Sequence, residues 1–497
     1  MKRCYLVGIG GTGSKCLESF IHLACSGLAP EEVWIGMVDV DKENGNLERT
    51  TQLLECYKSL YKSLRTGKNR LADSPLLKTE FVSPSTGAFW SPLPDGVKDL
   101  KQLFRYEQMR NETKWLFDSL FDHKEQETDL NHGFRGRPAM GSAVLLSQAI
   151  EGHEFWNEIL ESVQKVKAGD EIRIFLIASA FGGTGSAGFP TIARLIREEI
   201  KKRNIRQNYY VGGILLMPYF QFPSKESDEI TANAEAFLEN AQASLKYYHH
   251  LLSENENLFD NLYLFGWDPL TELKGEPEKG GTKQKNPPLM PEFFASLAAL
   301  KFFQSDELSH GKIFRTGYDI TDKQFTWNII PGINDRTSVK EYMGQLVRFA
   351  FAYLSSYRPF LYRETFSQIK DQKWFRNLIK EPGVSLEKDE CQNILESLDS
   401  YCQDMLRWIA SVSYLTNTDR KINLFRVSAF ANKTEDDKNP VELLPNFKKQ
   451  DFSSLVIPGN APALHEIYRI LSEEAKPDPE TQGLGVFCNT LYDLCKI

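Results

Sequence analysis

No two of the cysteines stand in a CxxC arrangement; they lie singly at positions 4, 16, 25, 56, 391, 402, 488 and 495. That spacing excludes the paired thiolates of a zinc module, and isolated thiols of this kind read as small apolar core residues in a reduced compartment. Also lacking is any run close to the roughly 18 apolar residues that a membrane-spanning helix needs. The chain opens directly on a core-strand pattern, CYLVGI from Cys4, so no secretory leader is expected. There is no long basic run, and 59 Lys and Arg stand against 67 Asp and Glu, a net charge of −8. Nucleic acid is therefore not an expected direct ligand. Together these absences predict a soluble, cytoplasmic protein with no transmembrane segment.

What the chain does have is enough length and apolar content for a large core, 497 residues of which 41% are hydrophobic, including 32 Phe and 19 Tyr. It also has glycine in two telling places. Ile172 to Ala180 (IRIFLIASA) is a short β-branched run suited to a buried strand, and PTIARLIREEIKK from Pro190 has helical spacing. Between them lies Phe181-Gly182-Gly183-Thr184-Gly185-Ser186-Ala187-Gly188. Glycines beside Thr and Ser at the mouth of a helix let main-chain amides close on an anion, with the helix N-terminus adding partial positive charge. The same five letters, GGTGS, occur at Gly10-Gly11-Thr12-Gly13-Ser14, after the strand ending at Ile9 and before a helix carrying Leu17, Phe20, Ile21 and Ala24. Two such loops predict a shared polyanion site at one edge of a parallel sheet.

Further strands are expected at Val33 to Val40 (VWIGMVDV), Tyr209 to Met217 and Asn261 to Trp267. The first ends in Asp39-Val40-Asp41, carboxylates placed to meet a ribose hydroxyl or a water-coordinated Mg²⁺. Residues 50–130 read as a helical elaboration, 271–288 (TELKGEPEKGGTKQKNPP) as a mobile surface loop, and PEFFASLAALKFF from Pro291 as an apolar helix. A long helix is expected from Glu229 to His250, and one strand-like run from Ile422 to Phe430 within an otherwise helical C-terminal third.

The segment AFGGTGSAGFPTIA, with Gly182, Gly183, Thr184, Gly185, Ser186 and Pro190 in place, resembles the signature of the tubulin/FtsZ superfamily of GTPases. Phe181 replaces the first glycine of that pattern. The Gly10–Ser14 loop is similar to the family's N-terminal phosphate loop, with Lys15 where FtsZ-like members carry Asn near the base. Gly133 to Ala143 (GFRGRPAMGSA), which includes Arg135, Gly136, Arg137 and Pro138, resembles the loop that senses the terminal phosphate. The Pro218 turn agrees in order and spacing as well.

The resemblance implies an α/β fold: a Rossmann-like three-layer nucleotide-binding domain over residues 1–305, followed by a mainly helical C-terminal domain over 306–497. It implies GTP or GDP with Mg²⁺ as ligands. Asp41 would meet ribose or the hydrated Mg²⁺, and Asp268, Asn286 and Glu292 are the candidates for reading the guanine edge. It further implies head-to-tail self-assembly into filaments, with partner proteins reached through the helical region. Hydrolysis would need an acid supplied in trans; Asp335 and Glu341 are the candidates, although PGINDR at 331–336 does not keep the family's spacing. Two other readings stand beside this one. The first is a nucleotide-binding scaffold without turnover. The second is an adenylating enzyme similar to ubiquitin-activating and ThiF-like proteins, suggested by Asp39, Asp41, Asn46, Leu47 and Arg49 in DVDKENGNLER.

Overall fold

The structure is a computed structural model that describes residues 2–497 apart from 66–73, 135–136, 149–151, 168, 206–207, 223–233, 254–257, 274–279, 307, 309, 320–323, 335–337, 363–364, 380–388, 416–420, 437–439, 460 and 474–481.

Its centre is one parallel sheet. In chain order the strands are β1 (Lys2–Ile9), β2 (Glu32–Val38), β3 (Glu80–Val82), β4 (Phe89–Trp90), β5 (Glu171–Ser179), β6 (Asn208–Leu216), β7 (Asn261–Asp268) and β8 (Lys312–Asp319). Across the sheet they run β8-β7-β6-β5-β1-β2-β3, with β4 also paired to β2. β1 and β5 are buried along almost their whole length, which is why they read as continuous apolar runs rather than alternating ones. β1 lies between β2 and β5, with Gly8 opposite Met37 on one side and Ile177 on the other. The chain winds one way from β1 to β2 and then resumes at β5 on the opposite side. This makes the carboxyl ends of β1 and β5 the point where strand order reverses, the place where open α/β sheets hold ligands.

Helices cover both faces, and two adjacent glycines in β6 show how tightly. Successive residues of a strand face opposite ways. A Cβ on Gly212 would meet the Phe302 ring at 2.5 Å, and one on Gly213 would meet Phe189 at 2.6 Å. Phe302 belongs to Met290–Gln304 and Phe189 to Gly183–Lys202, so these two helices sandwich the sheet. The helix that opens with the first glycine loop, α1 (Gly10–Cys25), packs with Met290–Gln304 and with α2 (Gly45–Arg65). On the other face Ile196 lines a small cavity together with Trp156, Ile159 and Val163 of Glu154–Gln164.

The C-terminal helices extend the same core. Asp389–Tyr414 packs on α2, and its Trp408 lies against His22 of α1, ring centroids 4.9 Å apart. The buried Arg348 guanidinium ties three distant carbonyls together, donating to Cys495 (3.1 Å), Phe452 (3.0 Å) and Pro462 (2.8 Å).

The local expectations hold in part. The helical elaboration at 50–130 also contributes β3 and β4, which are three and two residues long, too short for any alternation to appear. The helix expected at 229–250 is described as Ala234–Ser253, and positions 229–233 lie outside the described residues. Ile422 to Phe430 is not a strand. Lys421–Ile422 pairs briefly with Gln324–Phe325, Val427–Ala429 forms a 3-10 turn, and an antiparallel pair of Ala431–Lys433 with Val441–Leu443 follows. Leu424, Phe425, Val427 and Phe430 are apolar because they are buried, with Phe425 in an isolated bridge to Val456 rather than in a continuous ladder.

Candidate functional site

The two glycine loops meet. Gly10 begins α1 with φ +74°, in the left-handed region that glycine reaches without cost. A Cβ there would sit 3.2 Å from the Gly185 amide nitrogen and 3.5 Å from Thr184 Cβ. Behind this contact, Gly13 faces Gly8 and the Ile177 carbonyl, so β1, β5 and both loops close on one another with no room for side chains.

Each loop opens a helix whose first amides have no capping side chain. The residue before α1 is Ile9; the residue before α3 (Gly183–Lys202) is Gly182; neither donates or accepts a side-chain cap, and neither helix has an acid in its first turn. The leading N–H groups of a helix lack internal acceptors. Here two such sets converge at one sheet edge, and their partial positive charges add. Main-chain donors so arranged form a cradle whose chemistry suits an anion.

The α3 helix contains Pro190, which cannot donate to the Ser186 carbonyl four residues earlier. The Tyr248 hydroxyl, from the helix Ala234–Ser253, supplies that hydrogen bond instead. The Pro138 loop lies alongside. Pro138 is the first residue of the helix Pro138–Ser147, with Arg137 before it. A Cβ on Gly141 would be 2.6 Å from Ala187 Cβ, so this helix crosses α3 at contact distance.

The chain turns after β2, and the two carboxylates there go to different partners. Asp39 Oδ1 accepts from Thr184 Oγ1 (2.9 Å) and from the Val40 amide (2.8 Å). Burial, reinforced by the nearby Asp41 charge, pushes Asp39 up to about 7 despite the opposing pull of Thr184. Asp41, also raised by burial, accepts the Gly281 amide at 2.7 Å and the Glu43 amide at 3.2 Å. Magnesium is commonly held by one or two carboxylates plus ligand phosphates, and this pair beside the cradle suits that. Among the described residues there is no cluster of three or more His, Cys, Asp or Glu placed for a metal, and no helix long and apolar enough to cross a membrane.

Residues 5–274, more than half of the chain, match the family model described as "Tubulin like". The chain belongs to the tubulin-like family. Comparison with curated proteins gives no match. Among solved structures, this tubulin-like chain is similar to CetZ2 from Haloferax volcanii, described as a GTPγS-bound protofilament, at 15% identity and a TM-score of 0.27. That alignment covers 61% of this chain and 58% of the CetZ2 chain.

In this tubulin-like chain the candidate residues separate clearly. The loops Gly10, Gly11, Thr12, Gly13, Ser14 and Gly182, Gly183, Thr184, Gly185, Ser186 open adjacent helices and touch where Gly10 meets Thr184 and Gly185. Asn286 is close by: its amide donates to Asn46 Oδ1 (2.9 Å), and its carbonyl accepts from Arg49 (2.9 Å). Asp268 is exposed at the end of β7, two strands out from β5. Glu341 is exposed in the first turn of the helix Val339–Ala352, its amide capped by Ser338 Oγ. Gly136, Arg135 and Asp335 lie outside the described residues.

Glu292 is committed elsewhere. Its carboxylate forms a fully buried ion pair with Lys15 and accepts from the Tyr219 hydroxyl (2.7 Å) and the Leu289 amide (2.9 Å). The side chain is fully buried, with both oxygens engaged inside the protein. Arg49 is likewise held, by Glu18 at 2.7 Å and 3.0 Å and on the Asn286 carbonyl at 2.9 Å.

The sequence reading passed over Tyr248, whose role a proline inside a helical pattern does signal, since the carbonyl four residues back must find another donor. It also passed over Asn44, which hydrogen-bonds Gln284 at 2.8 Å and carries no local motif.

Proposed function

We propose that this protein binds guanosine tri- or diphosphate with Mg²⁺ between its two glycine loops and assembles head to tail into filaments. The observation that carries the proposal is the meeting of Gly10 with Gly185 at two uncapped helix N-termini. Converging main-chain donors without side-chain caps favour a ligand with several charged oxygens in a row. The family supports guanine as its base.

In this reading Gly10–Ser14 and Gly182–Ser186 hold the inner phosphates, and the loop through Gly136 and Pro138 meets the terminal one. Thr184, fixed by Asp39, keeps the second loop in register. Asp41 binds the ribose or holds Mg²⁺ through water. Asn286 and Asp268 contribute to base selection. The bound magnesium nucleotide supplies a phosphoryl group whose charge is already partly neutralised. Glu341 or Asp335 of the next copy would orient the attacking water, because a heterologous contact across the nucleotide builds an open polymer. Correct placement of that acid decides between a GTPase and a scaffold that binds without turnover.

The test is to denature the purified protein and identify the nucleotide released, then to measure phosphate release against protein concentration. Guanine nucleotide with steeply concentration-dependent release supports the assembling GTPase. Bound GTP without release supports the scaffold, and adenine nucleotide with pyrophosphate exchange defeats both.

A further inference from the structure

We propose that the segment Gly280–Asn286 is a latch across the nucleotide pocket that slows escape of the bound nucleotide; the inference rests on the nucleotide-binding reading above. The segment lies along the turn that joins β2 to α2 and is fastened to it at successive points. The Gly281 amide donates to Asp41 Oδ2 (2.7 Å), and the Gly281 carbonyl accepts from the Gly45 amide (3.2 Å). Asn44 Nδ2 donates to Gln284 Oε1 (2.8 Å). At the far end Asn286 gives its amide to Asn46 Oδ1 and takes Arg49 Nη1 on its carbonyl, each at 2.9 Å.

Two glycines make this approach possible. A Cβ on Gly45 would lie 2.5 Å from the Thr282 carbonyl, so the latch backbone occupies the space a side chain would need. Gly280 has φ +113°, and a Cβ there would be 2.7 Å from the His132 carbonyl and 3.0 Å from Asp41 Oδ2. The latch therefore touches three parts of the rim at once: Asp41, the segment leading into the Pro138 loop, and the Asn44–Asn46 turn. That turn in turn presses on the first phosphate loop, since a Cβ on Gly11 would be 3.1 Å from Asn44 Nδ2 and 3.5 Å from Asn46 Nδ2. A ligand spanning Gly11 and Asp41 would have to leave past these contacts. They are mostly single hydrogen bonds with Thr282, Lys283 and Lys285 exposed outside, the makeup of a unit that opens locally before the core does.

The experiment uses the full chain loaded with a fluorescent GDP analogue, chased with unlabelled GDP in a stopped-flow instrument. Gly45→Ala, which forces the backbones apart, should speed release about tenfold, and Gln284→Ala, which removes one hydrogen bond, by about two- to fivefold. Hydrogen exchange at the Gly281 and Asn286 amides should rise in step, with global unfolding little changed. If Gly45→Ala does not fold, Gln284→Ala carries the measurement. Faster exchange at those amides with an unchanged release rate overturns the latch alone. A wild-type protein that binds no guanine nucleotide overturns the latch together with the function it rests on.

Discussion

The Tyr248 hydroxyl donates to the Ser186 carbonyl, the acceptor that Pro190 leaves without its helical partner. The bond ties the second glycine loop to the helix Ala234–Ser253 and lets a proline sit inside α3 next to the cradle. Both groups are buried. Tyr248→Phe should therefore cost about 1–3 kcal/mol, the penalty of an unsatisfied buried carbonyl. Combining it with Pro190→Ala restores an amide at position 190, so the phenylalanine change should cost less in that background. Urea unfolding of the four proteins of this cycle measures the coupling, and simple additivity would remove the assignment.

The glycine at position 10 makes a sharper case. Gly10→Ala forces a left-handed residue and pushes a methyl towards the Gly185 amide, 3.2 Å away. Gly87 has φ +103° with nothing within 4 Å, so Gly87→Ala carries similar backbone strain and no close approach. Each change should lose about 1 kcal/mol of stability. Only the first should abolish nucleotide binding, measured by calorimetry with GDP at temperatures where both variants are folded. Equal affinity in the two would separate the cradle from the ligand.

A pH dependence follows from His22. Burial, with a smaller push from Arg49, lowers it to about 3, and its ring packs against Tyr401 and Trp408 of the helix Asp389–Tyr414. The unfolded chain takes up this proton near 6.5, so it binds more protons than the folded chain between there and about 3. Stability is fully present above that window and falls as pH drops through it, by up to several kcal/mol. His22→Phe keeps a ring against Trp408 and should flatten the decline between pH 6.5 and 4. Denaturant midpoints across that range provide the check; parallel slopes in the two proteins would assign the acid sensitivity elsewhere.

The strand–glycine–helix units were legible in the sequence because their chemistry is local. A buried strand needs an unbroken apolar run, and a backbone cradle needs glycines immediately after it. The meeting of Gly10 with Gly185 followed from sheet topology once β1 and β5 were adjacent. What joins distant residues was not legible. Nothing near Asp39 says that its partner is Thr184, and nothing near Lys15 names Glu292. β3 and β4 are too short to show a period, and the buried run around Phe425 imitates a strand because burial alone makes it apolar. The polar stretch before Pro288 reads as solvent-facing by composition, yet Gly281, Gln284 and Asn286 spend that polarity on Asp41, Asn44 and Asn46.

Lys15 and Glu292 allow one more test, of the core beneath the cradle. The ammonium is 2% exposed and the carboxylate 0%, and the Lys15 charge also lies 5.8 Å from the Tyr219 ring centre and 5.7 Å from that of Phe220. Removing one charge strands the other in a low dielectric, so Glu292→Gln should cost about 3–5 kcal/mol. The amide can still accept from Tyr219, which leaves the stranded lysine as the main loss. Pairing it with Lys15→Met removes both charges and should recover most of the stability, because a buried pair contributes little net once its desolvation is counted. If Glu292 instead read the base, the double variant would lose its preference for GDP over ADP. With the carboxylate fully buried and engaged by Lys15, Tyr219 and Leu289, that ratio should stay unchanged in a competition assay, and the unfolding midpoint alone should report the ion pair.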